Sequence, residues 1–350
     1  MTTQKTVFVG LSGGVDSAVA ALRLQKEGYA VVGVFIKVWH PDFLVCNWEE
    51  ERLDAMRVAA HLDIPFLTCD AEEAYQTEVG DYFVREYMAG RTPNPDVMCN
   101  KAVKFGAFLS FAKEHGADMI ATGHYAQVKD SRLLRGVDAD KDQSYFLWTL
   151  TQEQLAHVLL PVGDSTKKEI RAEAARAGIP TAAKKDSQGI CFLGHVDIPE
   201  FMSHFVELKQ GNVLNEKGEV IGTHNGALVY TLGQRHGFTV SNADTETRAH
   251  YVVGKDMEEN TITIAEHPPV LPAQQGISLI ETNWIAEVPK EGDEMFVQFR
   301  YRQTPARAVV SNIANDTCTI VPTESVERPA AGQSCVLYDR EVCLGGGVVG

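Results

Sequence analysis

Residues 10–17 read Gly-Leu-Ser-Gly-Gly-Val-Asp-Ser and lie between a strand-like run and a helix-like run. No other stretch limits the fold of this chain as much. Upstream, Thr6-Val7-Phe8-Val9 is β-branched and aromatic, the composition of a buried strand. Downstream, Ala18, Val19, Leu22 and Leu24 suit a packed helix, and Gly28 closes the run as a C-cap. Strand, glycine turn and helix in that order place the turn at the positive end of a helix dipole. Backbone N–H groups without helical partners bind phosphate there. Ser12 and Ser17 add hydroxyl donors. The competing reading is a glycine turn that only connects two elements.

The loop differs from two familiar phosphate loops. It lacks the Gly-Lys-Ser/Thr of a Walker A loop and the Gly-x-Gly-x-x-Gly spacing of a dinucleotide fingerprint. Its Ser-Gly-Gly-x-Asp-Ser pattern is similar to the pyrophosphate loop of enzymes that split ATP between the α and β phosphates. That likeness implies ATP, with Mg²⁺ accompanying its phosphates.

Strand and helix patterns alternate through the first two hundred residues. Tyr29–Val38 is apolar, Glu50–Leu62 reads as a helix and Pro65–Thr68 as a strand. Ala102–His115 is helical by its spacing and ends at Gly116, and Asp118–Thr122 is a short strand before Gly123-His124-Tyr125. This order predicts an α/β fold with a parallel sheet covered on both faces. Ligands of such sheets sit at the carboxyl ends of the strands, where residues 10–17, Ile36-Lys37 and Gly123-His124 all fall. After about residue 205 turn signals multiply and helical patterns stop. Met295–Arg302 alternates, and Ala308–Ser311 with Thr317–Val321 reads as a hairpin around Asn315-Asp316. The expected division is 1–204 for the ATP-pyrophosphatase-like catalytic domain, 205–272 for a small central β domain and 273–350 for a C-terminal β-barrel.

A length of 350 residues and an apolar fraction of 44% allow two or three domains with real cores. No apolar run approaches the ~20 residues of a spanning helix, and the N-terminus lacks a basic-then-apolar signal. A cytoplasmic protein with no membrane partner is expected. Seven cysteines, at 46, 69, 99, 191, 318, 335 and 343, suit thiols in a reducing compartment. Neither Cys-x-x-Cys nor His-x-x-x-His occurs, so no metal site is expected. A net charge of −15 argues by itself against a nucleic-acid partner. The charge is uneven, however. Residues 165–185 hold six basic residues (Lys167, Lys168, Arg171, Arg176, Lys184, Lys185) against Glu169 and Glu173.

Two further stretches carry chemistry. Residues 90–101, Gly-Arg-Thr-Pro-Asn-Pro-Asp-Val-Met-Cys-Asn-Lys, form a loop stiffened by two prolines. It leads into a helix expected to begin near Asn100. That places Cys99 at a helix start with Lys101 and Lys104 close by, conditions that favour a thiolate. Asp96, three residues earlier, is placed to exchange protons. Residues 184–192, Lys-Lys-Asp-Ser-Gln-Gly-Ile-Cys-Phe, put Cys191 after a polar segment, although Ile190-Cys191-Phe192 reads equally well as a strand with a buried thiol.

Taken together, these stretches resemble the tRNA-specific 2-thiouridylase family, bacterial type, within the ATP-pyrophosphatase superfamily. The likeness also covers Ala121–Tyr125, Lys141–Leu147, Asp186–Phe192, Tyr230–Arg235, Phe299–Gln303 and Gln333–Tyr338. It implies ATP-dependent 2-thiolation of the wobble uridine of tRNA. The C2 oxygen is adenylated, Cys191 carries sulfur as a persulfide and Cys99 attacks that persulfide. A Cys99–Cys191 disulfide is left, with Asp96 managing protons. The same resemblance implies ATP contacts by Gly10, Leu11, Ser12, Gly13, Gly14, Val15, Asp16, Ser17, Ile36 and Gly123. Many relatives carry Met where this chain has Ile36. Asn94, Pro95 and Asp96 match the segment that meets the target base. His124, Lys141, Asp142, Gln143, Arg300, Tyr301 and Gln333 match tRNA-contacting positions. Implied partners are tRNA with Glu, Gln and Lys acceptors, and a sulfur donor that is a cysteine desulfurase or a relay protein.

Residue chemistry alone leaves ordinary alternatives in place. His124 reads equally as a polar residue after a strand, and Arg300 as a solvated barrel face. Regular alternation sends Arg300 and Tyr301 to opposite faces, so both can touch RNA only if the strand bends or ends there. Residues 38–48 read as an insertion-like loop, and Cys46 within it as structural. Two other functions are compatible with the loop at 10–17. An ATP-dependent amide or C–N ligase would need neither cysteine. A tRNA-binding protein without activity would release no pyrophosphate.

Overall fold

The computed structural model describes residues 4–44, 48–185, 197–241, 249–285 and 287–350. Strands β1 (Thr6–Gly10), β2 (Ala30–Lys37), β3 (Phe66–Asp70) and β4 (Met119–Ala121) are followed by β5 (Ala126–Lys129), β6 (Arg132–Arg135) and β7 (Val158–Leu159). Five of them form one sheet in the order β3-β2-β1-β4-β7, and every pairing in it is parallel. The chain builds outward from β1 through β2 to β3, then returns to the other side of β1 to lay down β4 and β7. The point of reversal lies between β1 and β4, which is where α/β sheets open a crevice.

Both faces of the sheet are covered. Val7 and Val9 of β1 pack with α1 (Val15–Lys26), α2 (Trp48–His61) and the helix Lys167–Arg176. Phe8, Val34 and Ile36 point to the opposite face, against Val103, Phe105 and Phe108. Two covered faces explain why the strands read as near-continuous apolar runs. Complete burial of Val7 and Val9 contributes about 1.5–3 kcal/mol for each side chain.

The helix before β4 begins earlier than the sequence suggests. Its first turn is Pro95–Met98, and it continues as a π-helical stretch Cys99–Ala107 and then Phe108–Glu114. Asn94 is the N-cap, its side-chain oxygen accepting from Val97 N–H at 3.3 Å. Pro95 occupies the first helical position, which tolerates proline because that N–H has no helical partner. Cys99 therefore lies past the first turn, its N–H bonded to the carbonyls of Pro95 and Asp96. Cys99 thus sits beyond the helix start expected for it, and Asp96 is the residue in the first turn.

Beyond the helix Ile198–Ser203, a second sheet contains β8 (Gly211–Leu214), β9 (Val220–His224), β10 (Phe238–Val240), β11 (Tyr251–Asp256) and β12 (Thr261–Ala265). Their order is β10-β9-β8-β12-β11. β13 (Val270–Leu271) leads into β14 (Ile277–Trp284), β15 (Glu294–Gln298), β16 (Ala306–Ala314) and β17 (Thr317–Pro322). β18 (Val326–Glu327), β19 (Ser334–Asp339) and β20 (Val342–Val349) complete the described strands. The order β14-β17-β16-β15-β19-β20, with β14 also paired to β20, closes a six-stranded antiparallel barrel. The turn between β16 and β17 falls at Asn315, at φ +48°.

One strand pairing had no counterpart in the sequence reading. The β5–β6 hairpin of the first domain adds to β20 of the barrel, Leu134 opposite Val342 and Leu133 opposite Cys343. Arg135 secures this seam. Its guanidinium carbon lies 3.5 Å from the Tyr338 ring centroid, and its Nη1 donates to Asp142 Oδ2 at 2.8 Å and Gln298 Oε1 at 3.2 Å.

Candidate active site

The loop at residues 10–17 runs from the end of β1 into α1, with Gly14 as the N-cap and no side chain capping the helix. The first-turn N–H groups of α1 are thus available to a ligand. Ser12 and Ser17 hydroxyls lie 3.4 Å apart, Gly14 N–H donates to Ser12 Oγ at 3.4 Å, and Ser17 Oγ donates to the Gly14 carbonyl at 3.2 Å. Gly13 takes φ +69°, and a Cβ there would stand 2.7 Å from Asp54 Cβ and 2.9 Å from the Glu51 carbonyl oxygen. The loop thereby rests on α2.

Ile36 and Gly123 frame this turn. A Cβ on Gly10 would meet Ile36 Cδ1 at 3.6 Å and the Ala121 carbonyl oxygen at 3.9 Å. Gly123 is tighter: a Cβ would be 2.6 Å from Ser17 N and 2.8 Å from the Asp16 carbonyl carbon. The chain leaving β4 thus passes directly over the start of α1, and only glycine fits. Asp16, the loop's one charged residue, accepts from Lys167 Nζ at 2.8 Å on each carboxylate oxygen and from the Tyr125 hydroxyl at 2.7 Å. Sequence reasoning gave no role to Tyr125 and counted Lys167 only as part of a basic run. The signal for Lys167 was the capping box formed by Thr166 and Glu169, which places it in the first helical turn.

That basic run is partly internal. Lys167 is on Asp16, Lys184 Nζ donates to Asp54 Oδ2 at 2.8 Å, and Arg171 donates to the carbonyls of Ala182 and Lys184. Three of its six cations thus hold the fold together around the loop.

Cys99 is fully buried among Val97, Val103, Phe105 and Leu147, and its neighbour Asn100 donates to the Phe146 carbonyl at 3.1 Å. Asp96 is partly exposed on the first turn of the same helix. Cys191 and Cys46 lie outside the described residues, so the pairing of Cys99 with Cys191 falls outside them too.

The loop preceding this helix is gripped by both other domains. Thr92 N–H donates to the Ala331 carbonyl at 2.8 Å and its hydroxyl meets Thr231 Oγ1 at 2.8 Å. Tyr145 is a second junction. It is buried, its hydroxyl lies 2.9 Å from the Phe299 carbonyl oxygen and 3.0 Å from that of Ser334, and it bonds the Asn94 side chain. Asn94, Arg300 and Gln333 are therefore at, or next in sequence to, the partners of one hydroxyl. β15 ends at Gln298, so Arg300 and Tyr301 lie in a turn, as contact by both would require. Tyr301 packs on Phe146, ring centroids 4.7 Å apart, and Arg302 Nε donates to the Asp140 carbonyl at 3.0 Å. Segments 140–143 and 300–302 are thus contiguous.

Several of these positions already have intramolecular partners. Arg300 Nη1 donates to Glu327 Oε1 at 2.7 Å and Nη2 to the Leu232 carbonyl at 3.0 Å. Asp142 is buried and accepts from Arg135 and from the N–H groups of Gly136 and Ser144. Gln143 bonds the backbone of Tyr125 in both directions. Lys141 is partly exposed, and the Gln333 side chain accepts from Ala330 N–H at 3.4 Å.

His124 is buried, its Nδ1 2.7 Å from Thr122 Oγ1 and its ring beside Phe105. Burial, reinforced by Lys104, holds its pKa well below the usual value. A depressed folded pKa means that the unfolded chain takes up the proton first, so stability falls as pH drops below the unfolded value. His124→Gln is expected to flatten the decline of the wild type's unfolding free energy below pH ~6.5, by at most about 1.4 kcal/mol per pH unit, as read by denaturant unfolding across pH. Parallel declines for the two proteins would show that His124 does not contribute.

Three family models match successive stretches of the chain. Residues 5–195 match the family model described as a tRNA methyl transferase HUP domain. Residues 199–266 match the tRNA methyl transferase PRC-barrel domain, and 274–349 the aminomethyltransferase beta-barrel domain. The chain is 44% identical over 357 residues to the tRNA-specific 2-thiouridylase MnmA of Halalkalibacterium halodurans, covering 99% of this chain and 95% of the relative. It is 43% identical over 360 residues to the protein of the same name from Lysinibacillus sphaericus, covering 99% and 94%.

Proposed function

The chain belongs to the tRNA-specific 2-thiouridylase family, and from that premise we propose how its residues carry out ATP-dependent sulfur transfer to tRNA uridine. ATP is a substrate whose phosphates meet the N–H groups of residues 10–17, with Ile36 and Gly123 bordering the adenosine. The observation that carries this reading is the uncapped start of α1 under Gly123, at the carboxyl ends of the strands. Among the described residues no group of three His, Cys, Asp or Glu side chains is placed to hold a metal. Mg²⁺ is proposed to accompany the nucleotide on its phosphate oxygens.

The C2 oxygen of uracil is a poor leaving group. It attacks the α phosphorus of ATP, pyrophosphate departs into the loop, and C2 is left carrying AMP. The wobble base reaches this site by leaving its stack, which costs less in a single-stranded anticodon loop. Asn94, Pro95 and Asp96 meet that base. Cys191 brings sulfur as a persulfide. Cys99 thiolate attacks the Cys191 sulfur, a Cys99–Cys191 disulfide forms and hydrosulfide is expelled. Hydrosulfide adds at C2 and AMP leaves. A reductant then restores both thiols. Direct addition of the terminal persulfide sulfur to C2, followed by Cys99 attack, consumes the same groups.

His124, Lys141, Asp142, Gln143, Arg300, Tyr301 and Gln333 are proposed to receive the tRNA. What supports this is the contiguity of segments 140–143 and 300–302 across the seam between domains. Arg300 exchanges Glu327 for phosphate as RNA arrives. Acceptors for Glu, Gln and Lys are the expected substrates, and a cysteine desulfurase or relay protein the sulfur source, all in the cytoplasm. Among the described residues no helix is long and apolar enough to cross a membrane. The division at 1–204, 205–272 and 273–350 is retained as part of the proposal.

The test is mass spectrometry of unmodified tRNA incubated with the protein, ATP, Mg²⁺, cysteine and a cysteine desulfurase. The expected product carries sulfur in place of oxygen at the wobble uridine, with AMP and pyrophosphate released in equal amounts. AMP without any change in RNA mass would refute the reading.

A further inference from the structure

A phosphate site normally supplies positive charge, and residues 10–17 supply none. They lack the lysine of a Walker A loop, and their only charge is the carboxylate of Asp16 in the first turn of α1. A triphosphate approaching this turn would meet an anion on a chain of net charge −15. Dipole, N–H groups and the accompanying Mg²⁺ offset part of that repulsion, and cations held elsewhere in the fold can offset more.

Two lysines stand on the loop's own contacts. Lys167 chelates Asp16 with Nζ 2.8 Å from each oxygen, and its side chain is only 12% exposed. Its backbone N–H is fixed by Asp138 Oδ2 at 2.8 Å. Lys184 lies on the other wall. Its Nζ is 2.8 Å from Asp54 Oδ2, and Asp54 Cβ occupies the space where a Gly13 side chain would stand. Arg171 donates to the Lys184 carbonyl at 3.0 Å, which fixes the backbone from which the long side chain extends.

Neither carboxylate depends on its lysine alone. Asp54 Oδ1 is also paired with Arg57 Nη1 at 2.8 Å, and Asp16 keeps the Tyr125 hydroxyl at 2.7 Å. Asp54 therefore keeps a cation when Lys184 leaves, and Asp16, with its side chain 30% exposed, keeps a hydrogen-bond donor and access to water when Lys167 leaves, which limits the usual penalty for breaking a pair. Phosphate is the stronger acceptor, carrying more charge on more oxygens.

We propose that Lys167 and Lys184 are the cationic ligands of the ATP phosphates, held by Asp16 and Asp54 until the nucleotide arrives and passed from carboxylate to phosphate as it binds. The proposal rests on ATP being the substrate of this loop and adds the groups that neutralise it.

The experiment measures binding of α,β-methylene-ATP with Mg²⁺ by calorimetry to the full chain, with tRNA affinity and melting temperature as folding controls. Lys167→Met and Lys184→Met are each expected to weaken nucleotide binding about tenfold, with partial rescue by Arg. Asp54→Asn releases Lys184 and is expected to bind nucleotide as tightly as wild type or more so. A purely structural ion pair predicts the opposite, an equal loss from either side. Nucleotide affinity unchanged in either lysine variant overturns the assignment of that lysine, and a loss in Asp54→Asn equal to that in Lys184→Met overturns the transfer. A folded wild type that binds no nucleotide would refute the underlying ATP reading itself, a result distinct from these.

Discussion

Replacing Cys99 by Ser is expected to lower tRNA thiolation on the order of 10³-fold or more, while ATP-dependent release of pyrophosphate continues. In the proposed mechanism the two half-reactions fall to different parts of the chain. Adenylation is assigned there to the glycine turn at 10–17, which Cys99 does not help to form. Sulfur release is assigned to the thiol, for which a serine hydroxyl is no substitute as a nucleophile at neutral pH. Cys99 is completely buried, so Ser changes little in volume and the core around Val97, Val103 and Phe105 is retained. The measurement is a paired assay of labelled pyrophosphate and of thiolated tRNA with cysteine and a desulfurase as sulfur source. Equal thiolation rates for wild type and Cys99→Ser would remove Cys99 from the mechanism. Loss of both half-reactions together would instead mark it as structural.

Gly123→Ala is expected to act on the other half-reaction. The new methyl would stand 2.6 Å from Ser17 N, in the backbone that opens α1, and backbone cannot rotate aside as a side-chain tip can. Either the β4 exit or the helix start must shift, at about 1–3 kcal/mol for overpacking of this kind. Displaced N–H groups no longer converge on one phosphate, so the KM for ATP is expected to rise by about tenfold or more. The affinity for tRNA should change far less. Pyrophosphate release at varied ATP and a thermal melt check both. An alanine variant with wild-type KM would mean that the close approach of Gly123 does not position the nucleotide.

Legibility from the sequence followed locality. The β1–loop–α1 unit was readable because apolar runs and glycines announce it within twenty residues. The barrel hairpin around Asn315 was readable for the same reason. The helix start at Pro95 was missed because a proline-rich run suggests a loop, although Asn94 followed by Pro95 is also a helix N-cap followed by its first residue. The β5–β6 hairpin was missed because its turn is made by Asp130 and Ser131, both at positive φ, without the glycine that usually marks such turns. Tyr125 and Lys167 escaped as partners of Asp16 because more than a hundred residues separate each from it. For Arg300, the pair with Glu327 and the bond to Leu232 depend on how barrel and central domain meet, and no local pattern encodes that.

The pairing of β6 with β20 has a consequence for biosynthesis. On the ribosome, the hairpin at 126–135 emerges long before its neighbour at 342–349. While the intervening residues are made, one rim of that ribbon offers unsatisfied amides and carbonyls to any extended polypeptide nearby. Emergence of β20 is then the event that shields it, and truncated products ending before Val342 should be prone to self-association.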